Sequence, residues 1–232
     1  MPVIRDIPLK LDANEILRHV GIAKDAELRP KMESLIAELL SGDEAEYLLA
    51  PAIVYELHPI TEIRSDRLYV GNSLAFEGAL LPSALAQASD LAVVFCTIGP
   101  DLEKEKAECK AKKSLMRAFL LDSFGSAAVD ILAVEAYHFI RDMAASRRHA
   151  ASSPISPGMR GFSISEQWRM AQLAPINEIG LKLTASGMMN PQKSLSMIIG
   201  FGKEMPTWSR TEACARCSMT KSCRYKVHSQ TH

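Results

Sequence analysis

The hydrophobic pattern of the chain opens in helical register. Ile16, Leu17 and Val20 fall on one side of a short helix expected over residues 12–20, with Asp12 or Asn14 as its cap and Gly21 as its stop. A second helix is predicted from about Pro30, favoured in a first turn, to Leu40: Met32, Leu35, Ile36 and Leu39 make its stripe and Gly42 follows. The period then changes. Residues 52–57 and 68–70 are β-rich, 60–63 alternates weakly between them, and Ser65-Asp66 can turn the chain. Residues 91–98 are almost uniformly apolar and stop at Gly99-Pro100, the pattern of a strand covered on both faces.

The strongest helical signal runs from about Leu115 to Arg147. Met116, Leu120, Phe124, Ala127, Ile131, Val134 and His138 advance by threes and fours, so a helix spanning the width of the molecule is expected. Gly125-Ser126-Ala127-Ala128 in its middle is a small-residue patch where another backbone can approach closely; a helical glycine costs roughly 1 kcal/mol against alanine, and close packing is the reason to accept it. Residues 150–158, with Pro154, Pro157 and a run of serines, are expected to be irregular, neither helix nor ladder. Ser163-x-x-Glu166 has capping-box spacing and opens a helix to about Ala174. Further strands are predicted around 179–184 and 195–201. Helices and strands do not alternate regularly, so an α+β fold with a mainly antiparallel sheet and one long central helix is predicted. It is read as a domain over 1–209 followed by a cysteine-rich basic tail over 210–232.

Composition narrows the function classes. The chain has 232 residues, 47% of them apolar, and 27 Lys+Arg against 27 Asp+Glu. That is enough for a substantial core, and the charge balance argues against a protein whose task is coating nucleic acid. The richest apolar stretch, 74–98, is broken by Glu77, Pro82 and Asp90, so no membrane partner is expected. Residues 1–6 carry no basic start and apolar run, so a cytoplasmic protein is expected. Lys104, Lys106, Lys110, Lys112 and Lys113 alternate with Glu103, Glu105 and Glu108 as a solvated helix face. The phosphate-binding, zinc-protease and serine-hydrolase signatures are absent.

Two segments carry candidate chemistry. In Ser156-Pro157-Gly158-Met159-Arg160-Gly161-Phe162 a proline and two glycines hold the chain open, so its peptide groups can face a small molecule; a plain connector is the alternative. Cys214-x2-Cys217-x5-Cys223 can grip zinc or an iron–sulfur cluster, with His228 as a fourth ligand, or can stay as free thiols. Cys96 is expected to pack as a small hydrophobe, Cys109 to sit on a polar helix face, and His138 to be a core histidine with Glu135 nearby.

Several segments together resemble the activation domain of cobalamin-dependent methionine synthase in its free-standing form. The resemblance is carried by residues 119–128 (FLLDSFGSAA), Ser156-Pro157-Gly158, residues 180–191 (GLKLTASGMMNP), Lys193-Ser194-Leu195-Ser196 and the cysteine tail ending in Cys223-Arg224-Tyr225. It implies a curved antiparallel fold that binds S-adenosylmethionine and docks on a cobalamin-carrying protein. The implied activity is reductive methylation: a one-electron donor such as flavodoxin or ferredoxin makes Co(I), which takes the methyl group from S-adenosylmethionine. By the resemblance, the ligand would meet Ser156, Pro157, Gly158 and Met159 through backbone and the acidic Glu135 of the long helix. Pro154 and Met159 stand where the family has arginine and tyrosine, and Arg160 is the substitute cation for the ligand carboxylate. Two alternatives remain open: a corrinoid-protein scaffold or chaperone without S-adenosylmethionine, and a metal or iron–sulfur redox partner using Cys214, Cys217 and Cys223.

Overall fold

The apolar run expected to be covered on both faces lies at the centre of the fold. The computed structural model describes residues 3–5, 7–22, 29–71 and 74–223. It begins with β1 (Val3–Arg5), α1 (Ala13–Val20), α2 (Pro30–Leu39), α3 (Gly42–Leu48), β2 (Ala52–Ile63), β3 (Arg67–Val70) and β4 (Leu74–Glu77). Next come α4 (Leu80–Leu85), β5 (Ala88–Thr97), α5 (Asp101–Ala111) and α6 (Leu115–Ser146). The chain continues through β6 (Ala150–Ala151), α7 (Gln167–Leu173), β7 (Lys182–Leu183), β8 (Met189–Asn190), β9 (Ser194–Gly202) and α8 (Arg210–Arg216). The main sheet runs β4-β3-β2-β5-β9-β6, with β1 added to the start of β2, and all these pairings are antiparallel. The predicted α+β class holds.

Strand β5 shows why its sequence is apolar throughout. Ala92, Val94 and Cys96 face the core under α1, α2 and α6, while Leu91, Val93 and Phe95 face a second core with Phe76, Phe162 and α4. Both faces being covered, alternation would place polar groups in a core. At α1, the Asp12 carboxylate accepts the Glu15 N–H at 2.9 Å, and Gly21 ends the helix at φ 82°.

Helix α6 is 32 residues long and lies across the first face of the sheet. In its second half the buried row is Ala128, Leu132, Ala136, Ile140 and Ala144, four residues apart. Alanines at every other step let the helix axis come close to the strands. The predicted stripe holds for Leu120, Phe124 and Ala127, but Val134 is 48% exposed and Ile131 and His138 are only half-buried. The first half is packed by α1, α2 and α5 on several sides, so its apolar positions do not fix which stripe continues onto the sheet. Gly125 is closely packed as expected, but by a side chain and not by another backbone: a Cβ there would stand 2.9 and 3.1 Å from the Leu102 methyls of α5. Arg117 joins α6 to its neighbours, donating to Glu38 at 2.7 Å and to Glu44.

Four expectations are corrected. Residues 150–155 do join the ladder, β6 pairing with β9 and Ile155 bridging Ile198, because Ile155 and Ser152 keep the N–H groups that Pro154 lacks. Ser163 caps a 3-10 turn (Ile164–Glu166) and not a capping box: Glu166 is buried, accepting the Glu77 N–H at 3.1 Å and pairing with Arg169. The strand expected around 179–184 reduces to the two residues of β7, paired with β8. Cys109 is buried, its thiol donating to Glu105 at 3.5 Å. Among the described residues, no helix is long and apolar enough to cross a membrane.

Candidate functional site: a cleft beside the long helix

The strand-like course of residues 150–155 positions the site. Ile155 N–H donates to the Ile198 carbonyl at 3.0 Å and Ile198 N–H returns the bond at 2.8 Å, which fixes this segment along β9. Pro154 and Ser156, on either side of Ile155, then point away from it, since side chains alternate across an extended chain. With Ala133, Val134 and Tyr137 of α6 and Leu195 and Met197 of β9, they line a cleft of about 170 Å³. The lining is apolar apart from the Tyr137 and Ser156 hydroxyls. This volume is below the roughly 300–1,000 Å³ of enclosed ligand pockets, and half-exposed Val134 lies on its rim. A ligand held here would stay open to a second macromolecule.

Beyond Ser156 the loop leaves the cleft. Gly158 has φ 99°, a conformation glycine adopts without cost. Its N–H donates to the Phe162 carbonyl at 2.9 Å, and Met159 N–H to the Ser156 carbonyl at 3.1 Å. Arg160 N–H donates to the Arg216 carbonyl at 2.8 Å, and the Gly158 carbonyl accepts the Ser218 hydroxyl at 2.5 Å. The Gly158 and Met159 peptide groups, expected to meet a ligand, are thus engaged inside the protein. Gly158, Met159 and Arg160 instead line a separate shallow hollow with Glu77, Ile164 and Ser218. Of the residues expected at the ligand, Ser156 is at the α6 cleft, Pro157 is the half-buried link, and three line the other hollow. Glu135 is exposed; two residues from Tyr137, it is turned about 200° around the helix and is absent from the cleft wall.

The flank of α6 that borders the cleft also carries charge. Asp122 lies 2.9 Å from the Lys106 ammonium and 3.0 Å from that of Lys193, which also donates to Ser126 at 2.8 Å. Burial disfavours the Asp122 carboxylate, but the two ammonium groups outweigh it and hold its pKa below the usual carboxylate value. Asp130, four residues before Val134 and so on the same flank, sits 3.2 Å from His19 and 3.5 Å from Arg18 of α1. The sequence marks Val134 only as part of the helix stripe and Leu195 only within the family-like segment, and it does not single out Ala133, Tyr137 or Met197. The spacing Asp130–Val134–Tyr137 was visible there, but not which flank would face β9.

The tail cysteines are half-buried free thiols. Helix α8 before them has a complete capping box, Ser209 with Glu212, and Arg216 stacks over the Trp208 ring at 4.8 Å. Among the described residues, no three His, Cys, Asp or Glu side chains converge as a metal-binding group, Cys214, Cys217 and Cys223 included. His228 lies outside the described residues. Cys96 is sealed in the core, where burial pushes its thiol up to about 12.

No protein-family model matches the chain, and no curated protein matches it. Among solved structures, the chain is similar to a crystal structure of the MetH reactivation domain bound to AdoHcy, with a TM-score of 0.59 and 14% sequence identity. The match covers 77% of this chain and 66% of that one, just under two thirds of the domain's length. The fold of this chain is therefore that of the MetH reactivation domain, with the mostly antiparallel sheet and long central helix described above.

Proposed function

We propose that the chain binds S-adenosylmethionine in the cleft between α6, β9 and Ser156, and presents its methyl group to a cobalamin-carrying methyltransferase for reductive reactivation. The observation that carries this reading is the cleft itself, lined by Tyr137, Pro154, Ser156 and Met197 where the segment just before the Pro-Gly pair meets the long helix. It lies in a fold shared with a domain crystallised with AdoHcy. An apolar wall suits an adenine ring, with Tyr137 able to stack against it. The shallow shape leaves the sulfonium side accessible, as transfer to a metal on another polypeptide requires. The chain's contribution is proximity and orientation; cobalamin, carried by the partner, supplies the nucleophile, so no side-chain acid or base is assigned.

A second reading is favoured by one observation. The Gly158 and Met159 peptide groups and the Arg160 N–H are already paired within the protein and Glu135 is away from the cleft, which suits a scaffold that docks on a corrinoid protein without the ligand. Calorimetric titration with S-adenosylmethionine separates the two. Saturable heat that disappears in Ala133→Trp, whose indole would fill the cleft, supports the first reading; no heat up to millimolar ligand in the unmutated protein supports the second.

A further inference from the structure

We propose that Cys214 and Cys217 form a reversible dithiol–disulfide pair, and that the segment carrying them is a strap whose hold on the 158–160 loop follows their redox state. The strap meets the loop as a short added strand. Cys217 bridges Met159 in antiparallel fashion, the Arg216 carbonyl accepts the Arg160 N–H at 2.8 Å, and the Ser218 hydroxyl donates to the Gly158 carbonyl at 2.5 Å. Its contacts with the loop are therefore centred on a cysteine. Cys214 lies one turn earlier, and Cys217 N–H donates to its carbonyl at 3.2 Å. A turn closed in this way holds the two Cα atoms within about 7 Å, which overlaps the roughly 4.4–6.8 Å that a disulfide spans. Both thiols are partly exposed, whereas Cys96 and Cys109 are buried. Cys223 belongs to a separate turn, its N–H bound to the Met219 carbonyl at 2.8 Å.

The oxidant is a small-molecule disulfide such as glutathione disulfide. One cysteine thiolate attacks it, forming a mixed disulfide and releasing one glutathione; the second cysteine thiolate displaces the other. One S–S bond forms as one breaks, two electrons pass to the oxidant, and the two thiol protons end on the released glutathiones. The cross-link removes open-turn conformations from the undocked strap, so the oxidised segment is kept in the shape that fits the loop. Reduction restores those conformations and weakens the hold. Its bearing on ligand capture rests on the function proposed above, but its readouts use no ligand, so the two can fail separately.

The test equilibrates the full chain in glutathione buffers of increasing oxidation, then maps disulfides by peptide mass spectrometry and follows amide exchange at Arg160 and Ser218. The expected result is a Cys214–Cys217 bridge, with exchange at Arg160 slowed about tenfold in the oxidised form and no redox response in Cys214→Ser. Absence of an intramolecular bridge, a bridge to Cys223, or equal exchange at Arg160 in both states would overturn the proposal.

Discussion

Gly125 and Asp122, a helical turn apart in α6, show how single residues fix the bed of the site. A side chain at 125 meets Leu102, so Gly125→Val should lower stability by about 1–3 kcal/mol in urea titration through overpacking, and Leu102→Ala in the same chain should recover part of that loss. Asp122 anchors Lys193, just before β9, to α6. Its carboxyl is held below the ordinary value, so its stabilisation is complete above the unfolded pKa of about 3.9 and fades as the pH falls through the lower folded pKa. The stability gap between the unmutated protein and Asp122→Asn should therefore be widest near neutral pH and close in acid, as urea midpoints measured across pH would reveal. Cysteine chemistry divides along burial. Iodoacetamide should label Cys214, Cys217 and Cys223 in the native reduced protein, while Cys96, its thiol pushed up to about 12, reacts only after unfolding. Labelling of Cys96 at native rates would mean that the β5 core opens readily.

At the scale of elements, α6 and β5 carry the architecture, and both were legible as elements, α6 because apolar positions recur by threes and fours along its whole length and β5 because it is one unbroken apolar run, although the face of the second half of α6 was not. Helices α1 and α2 were legible for a further reason, since Asp12, Gly21 and Pro30 mark their ends. The elements that sequence missed are short. Helix α3 buries only Leu48, α4 contains Pro82, and β4 is four residues long, so none presents a repeating face. The location of the site was partly readable, because two prolines and two glycines announced an open loop. How it divides was not: the pairing of 158–160 with 216–218 joins segments far apart in sequence, and local pattern holds no trace of it. The close seating of α6 on the sheet makes its own prediction. Ala136→Leu should force helix and strands apart and destabilise the protein by about 1–3 kcal/mol, whereas Glu135→Leu, on the exposed neighbour, should change stability by less than about 0.5 kcal/mol.

For the whole molecule, the proposed role of holding a ligand for use by another chain depends on a shallow cleft on one flank of the long helix and on a loop pinned by the C-terminal segment. Two cores, one on each face of the sheet, make the cleft walls rigid: α6 comes from the first, and Ile155, flanked by Pro154 and Ser156, from the second. The likeness to the MetH reactivation domain establishes this architecture, while ligand and partner depend on the cleft. A crystal structure of the protein with S-adenosylhomocysteine tests the central claim most directly. The account predicts adenosyl density between Tyr137 and Met197, in contact with Ser156; density confined to another surface, or none at saturating ligand with the cleft walls unchanged, would contradict it.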